Sequence, residues 1–412
     1  MVVSRIGRTS EGGMTRLSFT QEEKAALELL RTYMEEAGLT VRSDAVGNLI
    51  GRREGLNTLA PVVLIGSHID SVYNGGNFDG PLGVLSALEV LQTMEEQTIR
   101  TENPIEVVVL RDEEGARFSF GMVGSRAMAG TLTQEDLEHK DDGGLSIAQA
   151  MGQAGLDPAA ISKARRPKES IKAYVEVHIE QGKVLEKKNL PVGIVSGMFG
   201  IVWLKFSLEG EAGHAGATPM NMRKDALVAA ARIIQMIERE ASRTETTVGT
   251  VGQVQVFPGG INIIPGRVEF TLDLRATEAV VLQRVEEAIR CQTELICKER
   301  AIQCQLEILQ RIRPAACSEH VQAVIRKAFR KRGLTEFTLV SGAGHDGMQF
   351  AHLWPIGMVF VRSEDGISHN PAEWSSPKDC AEGANVLYET VLDLAGFRRS
   401  AQPRRQPEQP SI

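Results

Sequence analysis

Cysteine is sparse in this 412-residue chain: there are five, an odd number, and no C-x-x-C pair. Four of them (Cys291, Cys297, Cys304 and Cys317) crowd one stretch, but their gaps match neither a zinc ribbon nor a zinc finger. Reduced, mostly buried thiols are therefore expected there, not a structural zinc. No apolar run approaches the ~20 residues that a bilayer span requires. The segment Met1 to Arg16 is polar and glycine-rich, without the apolar core of a signal peptide. These absences predict a cytoplasmic protein with no membrane partner. A long basic run is also missing, and 46 Lys and Arg against 53 Asp and Glu leave a net charge of −7, which argues against nucleic acid as the main partner. Histidine is scarce enough, eight in all, that each must be located individually.

What is present suits a folded protein. A hydrophobic fraction of 42% with 24% charged residues excludes wholesale disorder, and the length suggests two or three domains. Short apolar runs at Val62–Gly66, Ile105–Leu110 and Tyr174–Ile179 read as buried strands. Helical periodicity at Leu82–Glu96 and near Ser146–Gly152 lies between them. That alternation predicts an α/β domain with a largely parallel sheet. The middle of the chain changes character. A strand at Val202–Glu209, a helix at Arg223–Ser242, strands at Thr247–Phe257 and Arg267–Leu274, a helix from Thr277 to Lys298 and a strand at Gln303–Leu309 follow the β-α-β-β-α-β ferredoxin-like order. Elements of the first kind resume at His320–Arg332, Thr338–Val340, Ile356–Val361 and Asp379–Leu394. The expected organisation is one α/β domain, residues 1–201 and 318–399, interrupted by a smaller α+β domain at 202–317. A Pro- and Gln-rich tail, 400–412, is expected to be disordered.

Polar residues cluster where the apolar strands end. VVLIG leads to His68 and Asp70, VVVLRD to Glu113 and Glu114, YVEV to His178 and Gln181, and GMVFV, through a short loop, to Ser368 and His369. In an open α/β sheet, ligand sites lie outside the carboxyl ends of the strands. Asp79, in the Gly-rich turn YNGGNFDGPLG, would by itself read as a helix cap. Convergence changes that reading, because three His, one Asp and one Glu are the usual ligands of two borderline divalent ions. Asp79 has two oxygens with which to bridge them. Of Glu113 and Glu114, one can bind metal and the other act as general base. Asp70 can orient the His68 ring from behind.

The ordered motifs HID, NGGNFDGPLGV, DEEGARF, HIEQG, GEAGHAGATPM, NIIPG, DLR, GAGHD and ISHNPAEW resemble those of the M20-type metal-dependent amidohydrolases. The similar subgroup contains the N-carbamoyl-L-amino acid hydrolases, allantoate amidohydrolases and β-ureidopropionases, and the resemblance runs from about Gly12 to Leu394. It implies one metal held by His68, Asp79 and His178, and a second held by Asp79, Glu114 and His369, the ions being Zn, Mn, Co or Ni. It further implies Glu113 as base and proton shuttle and Gln181 against the carbamoyl group. His214 would stabilise the oxyanion after domain closure, and Asn262 and Arg275 would bind the substrate carboxylate. His345 and Asp346 would support the site from a Gly-rich loop. The resemblance also implies a homodimer formed through the inserted domain. The activity implied is hydrolysis of the carbamoyl group of an N-carbamoyl-L-amino acid. Allantoate or β-ureidopropionate on the same site is the alternative, and a non-catalytic metal-binding scaffold the remote one. Two departures stand out. Allantoate-type members carry an arginine after the position of Gly200, whereas this chain has Ile201, Val202 and Trp203. That stretch is expected to line a pocket for an apolar side chain, the alternative being that Trp203 packs at the domain hinge. The start of the chain also has little room for the helix that many relatives carry ahead of Gly12–Phe19.

Overall fold

A computed structural model describes residues Val2 to Phe397; the Pro- and Gln-rich tail lies outside them. From the N-terminus the chain forms α1 (Gln21–Glu36), β1 (Thr40–Ser43), β2 (Leu49–Arg53), β3 (Val62–His68), α2 (Pro81–Glu96), β4 (Ile105–Leu110), α3 (Val123–Ala129), α4 (Ile147–Gln153), β5 (Ile171–Ile179), α5 (Val184–Lys187) and β6 (Val192–Met198). It continues with β7 (Gly200–Glu209), β8 (Gly213–His214), α6 (Ala226–Ala241), β9 (Thr247–Thr250), β10 (Val254–Phe257), β11 (Ile263–Ile264), β12 (Arg267–Ala276), α7 (Ala279–Glu299), β13 (Gln303–Ile312) and β14 (Ala315–Ala316). Last come α8 (Glu319–Lys331), β15 (Thr338–Ser341), α9 (Gly347–Phe350), β16 (Ile356–Val361) and α10 (Pro377–Leu394). The chain divides into two compact units, a larger one of residues 1–196, 317–339 and 345–412 and a smaller one of 197–316 and 340–344.

The larger unit is built on a mixed sheet with the order β1-β2-β4-β3-β5-β16-β6. Its centre, β4-β3-β5-β16, is parallel. The flanking pairs β1-β2, β2-β4 and β16-β6 are antiparallel, so the expectation of a largely parallel sheet holds for the core strands and not for the edges. All seven residues of β3 and all six of β4 and of β16 are buried, as parallel strands covered on both faces must be. Each fully buried Val, Leu or Ile contributes about 1.5–3 kcal/mol relative to exposure. One face of β3 and β5 packs Val63, Ile65, Val175 and Val177 into a core shared with α1, α2, α8 and α10. The other face presents Tyr174, whose ring meets Phe350 of α9 edge-on at 5.0 Å. Gly66 is obligatory in β3: its φ is +149°, and a Cβ there would lie 2.0 Å from the Val108 carbonyl oxygen. No helix among the described residues is long and apolar enough to cross a membrane.

Not foreseen in this unit were α1, the β1-β2 hairpin, β6 and the short helices α3, α5 and α9. Before α1 the chain has only a short 3-10 turn at Val3–Arg5, held by Arg16. That side chain is 1% exposed and donates from Nε to Ile69 O (2.7 Å) and from Nη1 to Val3 O and Ile6 O (both 3.1 Å). Burial pulls its pKa down to about 10, against the opposing charges of Asp70 and Glu23. Replacing Arg16 with methionine keeps the stem but strands buried carbonyls and leaves Asp70 and Glu23 without this cation. A loss of about 3–5 kcal/mol is expected in urea unfolding of the apoprotein; a loss below ~1 kcal/mol would mean that the N-terminal segment is not anchored through this residue.

The smaller unit has an antiparallel sheet of order β10-β12-β7-β13, with β9 also paired to β12. Along β7, Val202, Leu204, Phe206 and Leu208 alternate inward, where Phe206 stacks on Phe270 at 4.6 Å. Helices α6 and α7 close that face with Ala229, Ile233, Ile237 and Ile289. The single strand expected at Thr247–Phe257 is two, broken at Val251–Gln253 around Gly252. Helix α6 starts at Ala226, capped by Asp225, instead of at Arg223. Arg223 reaches back to the carbonyls of Thr218 (3.0 Å) and Ala215 (2.6 Å) and so ties down the GHAGATP loop. The five cysteines are all free thiols: Cys297 and Cys317 buried, Cys304 and Cys380 half-buried, Cys291 exposed.

Candidate metal centre

The parallel strands deliver the polar residues level with one another. β3 ends at His68, which pairs in register with Leu110 at the end of β4. The chain beyond Leu110 turns through Asp112 to Glu113 and Glu114. On β5, His178 is level with Phe360 of β16, and His369 sits in the loop that follows β16. Asp79 comes from the loop before α2. The N-cap of that helix is Gly80, and no side chain caps it; the cap role is thus excluded and the Asp79 carboxylate is free for other contacts.

Asp79 stands between two sets of groups. Its Oδ1 lies 3.2 Å from His178 Nε2 and 3.5 Å from His68 Nε2. Its Oδ2 lies 3.3 Å from His369 Nε2, and that nitrogen is 3.4 Å from Glu114 Oε2. His68, Asp79 and His178 form one triplet whose ligand atoms lie within 4.8 Å of one another, and Asp79, Glu114 and His369 form a second. A third triplet, Glu176, His178 and His345, shares His178 with the first.

The imidazoles are turned for ligation. His68 Nδ1 is 3.1 Å from Asp70 O, and His178 Nδ1 is 3.0 Å from Ile179 O. A carbonyl can only accept, so both Nδ1 atoms carry hydrogen and both Nε2 atoms carry the lone pair. Those Nε2 atoms are buried without a hydrogen-bond partner, facing a carboxylate oxygen across 3.2–3.5 Å. Two acceptors in that position require a cation or proton between them.

The electrostatics lead to the same requirement. Burial would depress the His68 pKa, yet Glu113, Asp70 and Asp79 hold it well above its ordinary value. His178 is raised as well, Asp79 outweighing burial. His369 is pushed up to about 9, chiefly by its contact with Asp79. Burial pushes Glu114 up to about 7, with Asp79 adding to the effect. Asp79 itself is held well below the carboxylate range: burial opposes ionisation, and His178, His369 and His68 overcome it. Carboxylates that favour the charged forms of His68, His178 and His369 against burial make a pocket suited to positive charge. The His and carboxylate donors of these triplets fit divalent metal.

The surrounding backbone is tightly specified. Asp70 accepts the Glu113 N–H on Oδ1 (3.2 Å) and the Glu114 N–H on Oδ2 (3.1 Å), so one carboxylate sets both the base candidate and its neighbour. Asp70 Oδ1 is 3.6 Å from His68 Nδ1, and it is the Asp70 carbonyl that lies closer to the ring. Glu113 Oε2 lies 3.8 Å from His68 Nε2. Asp112, Gln181 and His369 all have left-handed backbone conformations (φ 54–58°), a strain of about 1–3 kcal/mol each that the packing around the site sustains. Gln181 Nε2 donates to Asp79 Oδ2 at 2.6 Å, a contact not foreseen; its Oε1 is buried without a partner. The His345 ring meets that of His178 edge-on at 4.4 Å, and burial lowers its pKa well below the usual value. Asp346, fully buried next to it, is pushed up to about 8 by burial and by Glu176.

Four other predicted residues belong to the smaller unit. His214 is exposed, and its Nδ1 accepts the N–H of Gly216 (3.0 Å) and of Ala217 (3.2 Å), so its hydrogen is on Nε2. Arg275 is already engaged. Its Nε and Nη2 pair with Asp273, Nη2 at 2.8 Å from Oδ2, and its Nη1 donates to Gly342 O at 2.6 Å. Asn262 is exposed, and its carbonyl accepts from Ala215 N at 3.0 Å. Trp203 is 39% exposed on the sheet face away from α6 and α7, whereas Ile201 and Val202 are buried. The apolar pocket lining expected of all three residues is therefore available from Trp203 alone. Glu373, a buried residue that touches the Asp79 loop, was not singled out from the sequence at all.

Comparisons with known proteins bear on the family of the chain. Residues 64–393 match the family described as peptidase family M20/M25/M40. An N-carbamoyl-L-amino acid amidohydrolase of Geobacillus stearothermophilus is 58% identical over 395 residues, covering 96% of this chain and 97% of that one. An allantoate amidohydrolase of Bacillus subtilis is more distant, 35% identical over 95% of both chains. Among solved structures, an amidase of the hydantoinase/carbamoylase family from Burkholderia multivorans superposes with a TM-score of 0.89 at 38% identity, covering 96% of each chain. With four-fifths of its length matched to the family and a relative of near-equal length at 58% identity, the chain belongs to the M20/M25/M40 peptidase family.

Proposed function

We propose that the protein hydrolyses the carbamoyl group of N-carbamoyl-L-amino acids: with one water, R–NH–CO–NH2 becomes R–NH2, ammonia and carbon dioxide. The observation that carries this reading is the shared carboxylate, Asp79, facing His68 and His178 with one oxygen and His369 with the other. The 58% identity to a named amidohydrolase of that specificity supports the substrate class. Two divalent cations per subunit, Zn, Mn, Co or Ni, would be held by the two triplets and would supply an acidified water and a polarised carbonyl.

Glu113 takes the proton of the attacking water and returns it to the departing nitrogen. Asp70 keeps Glu113 in place through its backbone N–H and steadies the His68 ring. Gln181 faces the same carboxylate oxygen of Asp79 as His369 does, and its unpartnered Oε1 is suited to accept from the carbamoyl NH2. His214 has its hydrogen fixed on Nε2, as an oxyanion donor requires. Arg275 and Asn262 are assigned to the substrate carboxylate. Asp273 holds the Nε–Nη2 edge of the guanidinium and Gly342 O takes one Nη1 hydrogen, which leaves one hydrogen on each of Nη1 and Nη2 for the substrate carboxylate. His345 and Asp346 support His178 from behind, and Trp203 is assigned to the substrate side chain. We assign dimerisation to the smaller unit and a cytoplasmic location to the protein. A non-catalytic scaffold is disfavoured because Glu113 accompanies all five ligands.

The test is ammonia release by metal-loaded protein from N-carbamoyl-L-methionine, its D-isomer, allantoate and β-ureidopropionate. Turnover of the L-form is expected, with loss on chelation and return on adding metal. Turnover of allantoate or β-ureidopropionate with none of the L-form would replace this reading with the alternative on the same site.

A further inference from the structure

We propose that Glu373 is a positioning residue that locks the bridging carboxylate to the His369 loop, so that the two halves of the metal centre are set by one side chain. Asp79 lies in a loop of glycines, Gly75, Gly76 and Gly80, the last at a φ of +81°. Such a loop is conformationally loose by itself. Its place is fixed by Glu373 Oε1, which accepts the N–H of Phe78 at 2.8 Å and of Asp79 at 3.1 Å. The other oxygen, Oε2, is 3.0 Å from Ser368 Oγ, and that hydroxyl is 2.9 Å from Asp79 Oδ2. Ser368 immediately precedes His369. Glu373 thus touches the backbone of the bridging ligand and, through one hydroxyl, both its Oδ2 and the segment that carries His369.

The neighbourhood is shaped for this carboxylate. Glu373 is 3% exposed and forms no ion pair with Lys, Arg or His among the described residues. A buried carboxylate without a cation is costly and persists only when hydrogen bonds satisfy it. Gly76 makes room for it, since a Cβ there would lie 2.1 Å from the Glu373 carboxyl carbon and from Oε1. The backbone N–H of Glu373 donates to Asn370 O at 3.0 Å, which fixes the side chain's own origin in the His369 loop.

The proposal rests on the metal-centre reading, and the test separates the two. Metal-free wild type and the variants E373A, E373Q and G76A are titrated with Zn2+ alone by calorimetry, their thermal unfolding is recorded, and kcat and KM are measured with excess metal. Absence of Zn2+ binding by the wild type would remove the metal centre itself. If the wild type binds, E373A is expected to lose about 10–100-fold in Zn2+ affinity, the usual effect of removing a group that orients a ligand. Its kcat should fall more than its KM changes. E373Q keeps an oxygen for the two N–H groups and an NH2 for Ser368 Oγ, and should restore affinity close to wild type. G76A, which displaces the carboxylate from the opposite side, should weaken Zn2+ binding as E373A does, so the proposal stays testable if E373A fails to fold. Wild-type affinity in E373A or G76A, or a loss in E373Q equal to that in E373A, would overturn the role.

Discussion

Replacing Glu113 with glutamine is expected to lower kcat by about 10²–10⁴-fold, the range that a positioned general base contributes, while leaving metal content unchanged. The geometry separates this residue from its neighbour. Glu114 Oε2 is 3.4 Å from His369 Nε2 within a ligand triplet, whereas Glu113 belongs to neither triplet that shares Asp79. Its Oε2 nonetheless lies 3.8 Å from His68 Nε2, close enough to serve a water held at the centre. Burial raises its pKa well above the carboxylate range; His68 opposes this, and Asp346, Glu114 and Asp70 reinforce it. Cations bound beside it would pull the other way, which leaves a carboxyl able both to take a proton and to give it back. Glutamine keeps the shape and the backbone contact to Asp70 but cannot accept a proton. Metal analysis and kcat on the same preparation decide the matter. Undiminished turnover would refute the base assignment, and parallel loss of metal would make Glu113 a ligand.

The parts of this molecule that could be read in advance are those where one residue type serves one physical need. β3, β4 and β16 are mainly apolar because both faces of the sheet are covered, and each leads at its carboxyl end toward a residue of the site. The alternation of Val202, Leu204, Phe206 and Leu208 likewise reports a sheet covered on one face. β1 was missed because its residues are mostly exposed and TVRS has no apolar period. β6 is interrupted by two glycines and separated from β7 by a single residue, so it does not stand out as a strand. α1 did carry a signal: Thr20 caps the helix by accepting from Glu23 N, the T-x-x-E pattern of a helix start. Its Glu23, however, is spent on Phe19 N and on Arg111. The residues of the two triplets that share Asp79 were legible because their types are chemically restrictive. Glu373 was not, since its partner Asp79 is 294 residues away, and only folding shows which of 53 acidic residues is buried against that loop. Arg275 shows the converse: its type suited a carboxylate, and the nearest carboxylate is the chain's own Asp273.

The second large effect is expected at Asp79, and the choice of substitution makes it a test of how many ions the centre holds. Alanine removes both oxygens at once. Because no side chain caps α2 and Glu373 grips the loop by its backbone N–H groups, the fold should survive the change. His68 and His178 then keep no shared carboxylate, and neither do Glu114 and His369, so both sites should weaken by at least about 10²-fold and desalted protein should carry almost no metal. Asparagine is the more discriminating variant. It retains one oxygen that can ligate, while its NH2 can only donate. One triplet then keeps its ligand and the other meets an amide nitrogen where it needs an acceptor. If Asp79 bridges two ions, D79N should hold one equivalent of metal tightly and the second weakly, with turnover lost although half of the centre is filled. If the chain binds a single ion, D79N should retain either that one equivalent or none, and no second, weaker phase should appear in the titration. Two tight equivalents in D79N would mean that the carboxylate facing both triplets across 3.2–3.5 Å is not what joins them.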